Sequence, residues 1–328
     1  MGYIISAPYD VLYESFLDHM KRRTSAQGFQ KLVDVTRRVI RWFEAEDLVP
    51  EAVKIADAVR YASYLSTLTT SEGKAMTTGT MINYLKAARR FFAFLVESER
   101  VTTNPFAELP YPKSPDHLSR NVLSEAQMAC LLATLARFDE ATSARERLRK
   151  YRVHVVAEFL YATGLRVAEA ASLVEANIDL VSRLVYLPEG KGGKARTAFL
   201  TGYACDVLAR YLARGRVAVL GNFCRAHGDT LFGADKSRLA AVVNEELRAV
   251  CTSLSIPVIT THGFRHSLGT HLLRAGCDMR HIQAILGHES LNTTQIYTKV
   301  DKDDLKRSLD AFHPRQWGRD ALREEALV

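Results

Sequence analysis

Between Thr261 and Lys299 the chain gathers His262, Arg265, His288 and Tyr297, four side chains that could act together on one anion. His262 and Arg265 are three apart, so a helix here presents both from one face. Leu268, Leu272 and Leu273 supply its apolar stripe, and Gly276 is a suitable left-handed stop. A second helix carries Ile282, Ile285 and Leu286 and ends at Gly287, which puts His288 on a turn. Tyr297 follows after the polar, helix-starting run Asn292-Thr293-Thr294. Two imidazoles, a guanidinium fork and a phenol make a poor hydrophobic core. They suit the holding of a phosphate beside an oxygen nucleophile.

A metal is the local competitor for these groups. His262 and His266 are four apart, the spacing of two zinc ligands on a helix. The intervening residues lack the glutamate of H-E-x-x-H, and Arg265 would set a cation beside the ion. No metal and no other cofactor is expected. His266 and His271 are read as packing or supporting residues.

The ordered motifs HGFRH and LGH, with a tyrosine nine residues after that second histidine, resemble the C-terminal signature of the tyrosine recombinase (phage integrase, Xer-like) family. Upstream, Arg166 and Glu169 in GLRVAEAASL form, by themselves, an ordinary intrahelical ion pair. The resemblance makes Arg166 the family's first active-site arginine and Glu169 its acidic neighbour. It also puts a lysine on the β-turn EGKGGKAR, where Lys191 is the match and Lys194 the lesser one. The implied chemistry is strand transfer on DNA. Arg166 and Arg265 each fork two donors onto the non-bridging phosphate oxygens, and His288 adds another. Tyr297 attacks as nucleophile, His262 takes its proton, and Lys191 protonates the departing 5′ oxygen.

These residues need two folded units to position them. Residues 1–112 read as an all-helical core-binding domain, with helices over 11–19, 29–46, 51–65 and 80–99. In the last of these, Met81, Tyr84, Leu85, Ala88, Phe92 and Leu95 face a core while Asn83, Lys86 and Arg90 fall on another side. By resemblance, those three and Lys194 and Arg196 touch DNA, and Asn104-Pro105-Phe106 closes the domain. Residues 113–123 are a linker, Pro110, Pro112 and Pro115 excluding a helix thereabouts. Residues 124–328 form the catalytic domain. Ser124 and Gln127 mark a capping box, and the basic run 141–150 reads as a solvated connection. Tyr151 to Thr163 is a buried helix, and strands Leu184–Leu187 and Thr197–Leu200 flank the glycine-rich turn. That turn lacks G-x-x-x-x-G-K-[ST] and is not a nucleotide loop. Further helices cover 203–219 and 236–254. A terminal helix over about 301–312, striped with Leu305, Leu309 and Phe312, can cap its own core or, as the resemblance implies, dock on a neighbouring protomer. The fold class is mainly α with a small antiparallel β-sheet, a clamp around DNA.

Composition agrees with a polyanionic partner. The 328 residues carry a net charge of +7, with 15 basic against 13 acidic residues up to Lys113 and 29 against 24 beyond it. Five cysteines, at 130, 205, 224, 251 and 277, form no C-x-x-C pair and read as buried thiols in a reducing compartment. No apolar run approaches the ~18 residues of a membrane span, and no signal peptide is read at the start. A cytoplasmic, nucleoid-associated protein is expected. Its implied partners are a double-stranded recombination site and further copies of itself, a dimer per site and a tetramer in synapsis, with an accessory or second recombinase subunit where the system uses one. Two other classes stand beside this: a topoisomerase-like or hairpin-forming strand transferase, and a non-catalytic DNA-binding regulator.

Overall fold

Aromatic residues at helical spacing build the first of two compact units, Met1–Leu118 and Ser119–Val328. The computed structural model describes residues 9–24, 26–69, 73–113, 122–188, 195–223, 229–287 and 302–316. The first unit contains α1 (Tyr9–Lys21), α2 (Ala26–Ala45), α3 (Ile55–Thr67) and α4 (Thr78–Glu97). Thr77 caps α4 by accepting the Thr80 N–H at 3.2 Å. Phe16, Phe43, Phe91, Phe92 and Phe106 are all fully buried. They meet edge-on, with Phe16–Phe91 centroids 5.3 Å apart and Phe43–Phe92 centroids 5.6 Å apart. Each such pair adds about 0.5–1.5 kcal/mol beyond the area it buries.

The Asn104-Pro105-Phe106 segment is stitched to α4 by Arg89. Its Nε donates to the Phe106 carbonyl at 2.8 Å and its Nη2 to that of Leu109 at 2.6 Å. Asn104 Nδ2 returns a bond to the Arg89 carbonyl at 2.9 Å. Asn83, Lys86 and Arg90 lie exposed on the other side of the helix.

The second unit starts with α5 (Glu125–Leu135), and Ser124 and Gln127 form the expected reciprocal cap at 3.2 and 2.9 Å. The basic run is no loose connection: α6 spans Ala144–Thr163. Ser143 caps it by accepting the Glu146 N–H, Lys150 pairs with Glu146 one turn on, and Arg, Glu and Lys are good helix formers. From Tyr151 to Thr163 every residue of α6 is buried. Gly164 stops it at φ +63°, and α7 (Val167–Ser172) turns away.

An antiparallel sheet follows, in the order β1 (Ile178–Asp179), β2 (Leu184–Leu187), β3 (Arg196–Phe199). Its register sets Leu187 opposite Arg196 and Leu184 opposite Phe199. Next, α8 (Gly202–Arg210) runs through a π-helical turn, Tyr211–Gly215, into α9 (Arg216–Phe223). The Tyr151 ring lies where a side chain at Gly215 would stand. The remaining α-helices among the described residues are α10 (Lys236–Ser253), α11 (Thr261–Arg274), α12 (Met279–Leu286) and α13 (Lys302–Phe312).

One expectation about α11 is corrected here. Leu273 is exposed, so the inward stripe of α11 is Phe264, Leu268, His271 and Leu272. The stripe on α13 faces its own unit: Leu305 and Leu309 are buried in that core and Phe312 packs on it. Lys306 donates to the Ser182 carbonyl at 3.1 Å, Arg183 pairs with Asp310, and Ser308 bonds His281 at 2.8 Å. Just beyond, Arg315 closes a bidentate pair on Glu158 of α6. This helix caps its own core.

Candidate active site

The corner between α6 and α7 and the first turns of α11 bring Arg166, Glu169, Arg265 and His262 together. Gly164 permits the approach. A Cβ there would stand 2.6 Å from Leu286 and 3.0 Å from Leu268, and φ is already positive. The Gly164 carbonyl accepts from Arg265 Nη1 at 2.7 Å, which fixes the guanidinium two residues from Arg166. Arg166 begins α7, its N–H donating to Glu169 Oε2 at 2.7 Å and its Nη1 to Oε1 at 3.3 Å. The pair read from the sequence as an ordinary helical bridge is therefore part of a larger cluster.

Arg196 is the residue the sequence placed differently. Instead of reaching outward with Lys194, its guanidinium closes on Glu169, Nη2 lying 3.0 Å from each carboxylate oxygen. The signal for that was weak, since Glu169 and Arg196 are far apart in sequence and on elements of different type.

Among the described residues the charges are unbalanced, with three guanidiniums beside one carboxylate. Burial pushes the Glu169 carboxyl up, but the Arg166 N–H and the Arg196 and Arg166 guanidiniums outweigh it and hold the group below its ordinary value. Burial, then repulsion from Arg166 and Arg196, lowers Arg265 to about 10. Arg265 Nη2 and Arg196 Nη1 are sealed from water and have no acceptor among the described residues. A buried unpaired N–H on a cation costs several kcal/mol at the order-of-magnitude level and calls for an acceptor. The cluster is shaped for an anion.

His262 stands at the exposed edge, its ring 4.7 Å from and perpendicular to that of His266. Burial first, then His266, Arg265 and Arg166, hold its pKa below the usual 6.5, so at neutral pH it is a free base. Among the described residues no group of three His, Cys, Asp or Glu side chains converges as metal ligands do. His271 is fully buried, joining the Tyr161 hydroxyl at 2.7 Å to the Leu123 carbonyl at 2.8 Å. Lys191, Lys194, His288 and Tyr297 lie outside the described residues.

Comparison with known proteins supports the same conclusion. Residues 121–304 match the phage integrase family. The chain is 33% identical over 292 residues to tyrosine recombinase XerC 2 of Ralstonia nicotianae, covering 88% of this chain and 82% of that protein. It is 32% identical over 308 residues to tyrosine recombinase XerD of Vibrio vulnificus, covering 92% and 95%. Among solved structures, the Tn1549 transposon integrase in complex with transposon right end DNA superposes with a TM-score of 0.62 at 16% identity, over 91% of this chain and 98% of that one. XerH recombinase bound to its difH substrate gives 0.60 at 19%, over 90% and 83%. Those two likenesses show a shared, mainly helical fold with a small antiparallel sheet. With the family match covering more than half of the chain and relatives above 30% identity along nearly all of it, this protein belongs to the phage integrase family, the tyrosine recombinases.

Proposed function

We propose that the chain is a site-specific DNA recombinase that cleaves and rejoins DNA through a 3′-phosphotyrosine intermediate. The observation that carries this reading is the buried Nη2 of Arg265, which has no acceptor among the described residues, inside a cluster of three guanidiniums and one carboxylate. A phosphodiester gains negative charge on its non-bridging oxygens as a nucleophile attacks. Preorganised donors meeting that charge are worth roughly 10²–10³ in rate each. Arg265 and Arg166 take those oxygens, and His288 adds a donor.

The Tyr297 hydroxyl attacks phosphorus and gives its proton to His262, which is neutral at physiological pH. The bond from phosphorus to the 5′ oxygen breaks, and Lys191 protonates that oxygen. The products are a 3′-phosphotyrosyl link and a free 5′ hydroxyl. The link conserves the phosphodiester energy, so a 5′ hydroxyl from a second duplex can reverse the step and exchange strands. The substrate is a double-stranded site held by both units, with a dimer per site and a tetramer in synapsis.

Tyr297→Phe tests the reading. Wild-type protein on a nicked duplex of the cognate site should give a detergent-resistant, protease-sensitive adduct mapping to Tyr297. The variant should bind that duplex with unchanged affinity, which rests on many phosphate contacts, and give no adduct. Failure of the wild type to form one across several nick positions would leave only a DNA-binding protein.

A further inference from the structure

Arg196 has a place in the site that neither its position in the sequence nor its net charge announces. It opens β3 directly after the hairpin turn that contains Lys191, with Leu187 opposite it in β2. Its Nη2 spans both oxygens of Glu169 at 3.0 Å, and the same carboxylate accepts the Arg166 N–H at 2.7 Å. On its other side the guanidinium lies against Gly287, the left-handed cap of α12 at φ +65°. A Cβ at Gly287 would sit 2.6 Å from Arg196 Nη1 and 2.8 Å from Cζ. A side chain at that position is therefore opposed by the backbone and would also push the guanidinium off its place. Little of the Arg196 side chain is exposed (18%), unlike an arginine held out towards DNA.

Three chain segments thus meet on one planar group: the start of α7 with Arg166, the strand leaving the Lys191 turn, and the end of α12, where Gly287 immediately precedes His288. We propose that Arg196 is a positioning residue of the strand-transfer site, registering the C-terminus of α12 against Arg166 through the Glu169 carboxylate. The planar group matters as well as the charge, because one nitrogen meets both Glu169 oxygens while Nη1 and Cζ cover the Gly287 backbone, which a single-nitrogen ammonium would leave uncovered. This proposal rests on the recombinase reading above.

The test is single-turnover covalent capture on a nicked duplex, read beside DNA affinity and the urea midpoint. Arg196→Ala should slow capture by about a hundredfold, the scale of an ångström's misplacement in a catalytic group, with affinity unchanged. Arg196→Lys should recover only part of that loss. Gly287→Ala should slow capture in the wild-type background but add much less to Arg196→Ala, because the clash is gone and only the backbone strain is left. Losses that simply multiply in the double variant would overturn the proposal, since independent structural damage behaves that way. So would an equal fall in affinity and capture for Arg196→Ala, which would make it a DNA contact, or capture at the wild-type rate. Wild-type protein that captures nothing would sink the recombinase reading itself, and the positioning role with it.

Discussion

In the proposed mechanism His262 and Lys191 divide the proton work, and each makes a separable demand. Burial and the surrounding cations lower the His262 pKa, so the imidazole loses its capacity as a base only when pH falls through a value below 6.5. Cleavage followed against pH should show its acid limb there, and His262→Ala should remove the limb along with most of the rate. An acid limb at or above neutrality would point to another base. For the acid, Lys191→Ala should slow cleavage far more than Lys194→Ala, by about 10²–10⁴-fold, the usual range for a positioned proton donor. A substrate with sulfur in place of the 5′ leaving oxygen needs no protonation and should restore the Lys191 variant. If the Lys194 variant is the one restored, the assignment within the turn is off by three residues.

The terminal helix shows what an element can hide in its sequence. An amphipathic stripe of Leu305, Leu309 and Phe312 says that something covers it but not which chain supplies the cover. Here the cover is in cis, with Leu309 fully buried and Arg315 tied to Glu158. Leu309→Ala should cost about 2–5 kcal/mol in urea unfolding of the second unit. Removing residues 302–328 should yield a chain whose second unit is protease-sensitive; a stably folded truncation would restore the idea of a helix that docks on a neighbour. Periodicity revealed most other helices, because apolar residues recur at the helical spacing in α2, α4 and α10. It missed the first turns of α6, where 144–150 carries no apolar stripe and only capping and propensity hold the helix. It missed β1 as well, since two residues carry no alternation. At the site, helical spacing put His262 and Arg265 on one face, whereas spacing alone made Arg166 and Glu169 an ordinary ion pair and only the family motif singled them out. The Arg196–Glu169 contact was not legible, because it depends on how β3 packs against α7.

Across the whole second unit, three buried histidines couple folding to pH. Burial pushes His154 down to about 3 and His313 to about 4, with Arg315 adding to both, and burial also lowers His271. The unfolded chain binds protons at these sites near pH 6.5 while the folded one does not. Their contribution is complete above that value and is lost as pH falls towards the folded-state values. Glu158, whose carboxyl burial raises, works in the opposite sense, so the histidines must be tested directly. The urea midpoint of the wild type should fall between about pH 7 and about pH 5, and His154→Leu should flatten that dependence. An unchanged slope would mean that this site takes up a proton without unfolding.

The closing of the core by α13 has a consequence in time. Leu305 and Leu309 belong to the same apolar cluster as Leu268 and Leu272 on the helix that bears His262 and Arg265. A nascent chain still held by the ribosome at that point has made every arginine of the cluster but has nothing to seal the layer beneath them. The apolar layer beneath the cationic centre is therefore complete only after α13 has emerged. A chain cut short upstream of it would carry that arginine cluster on an incomplete core.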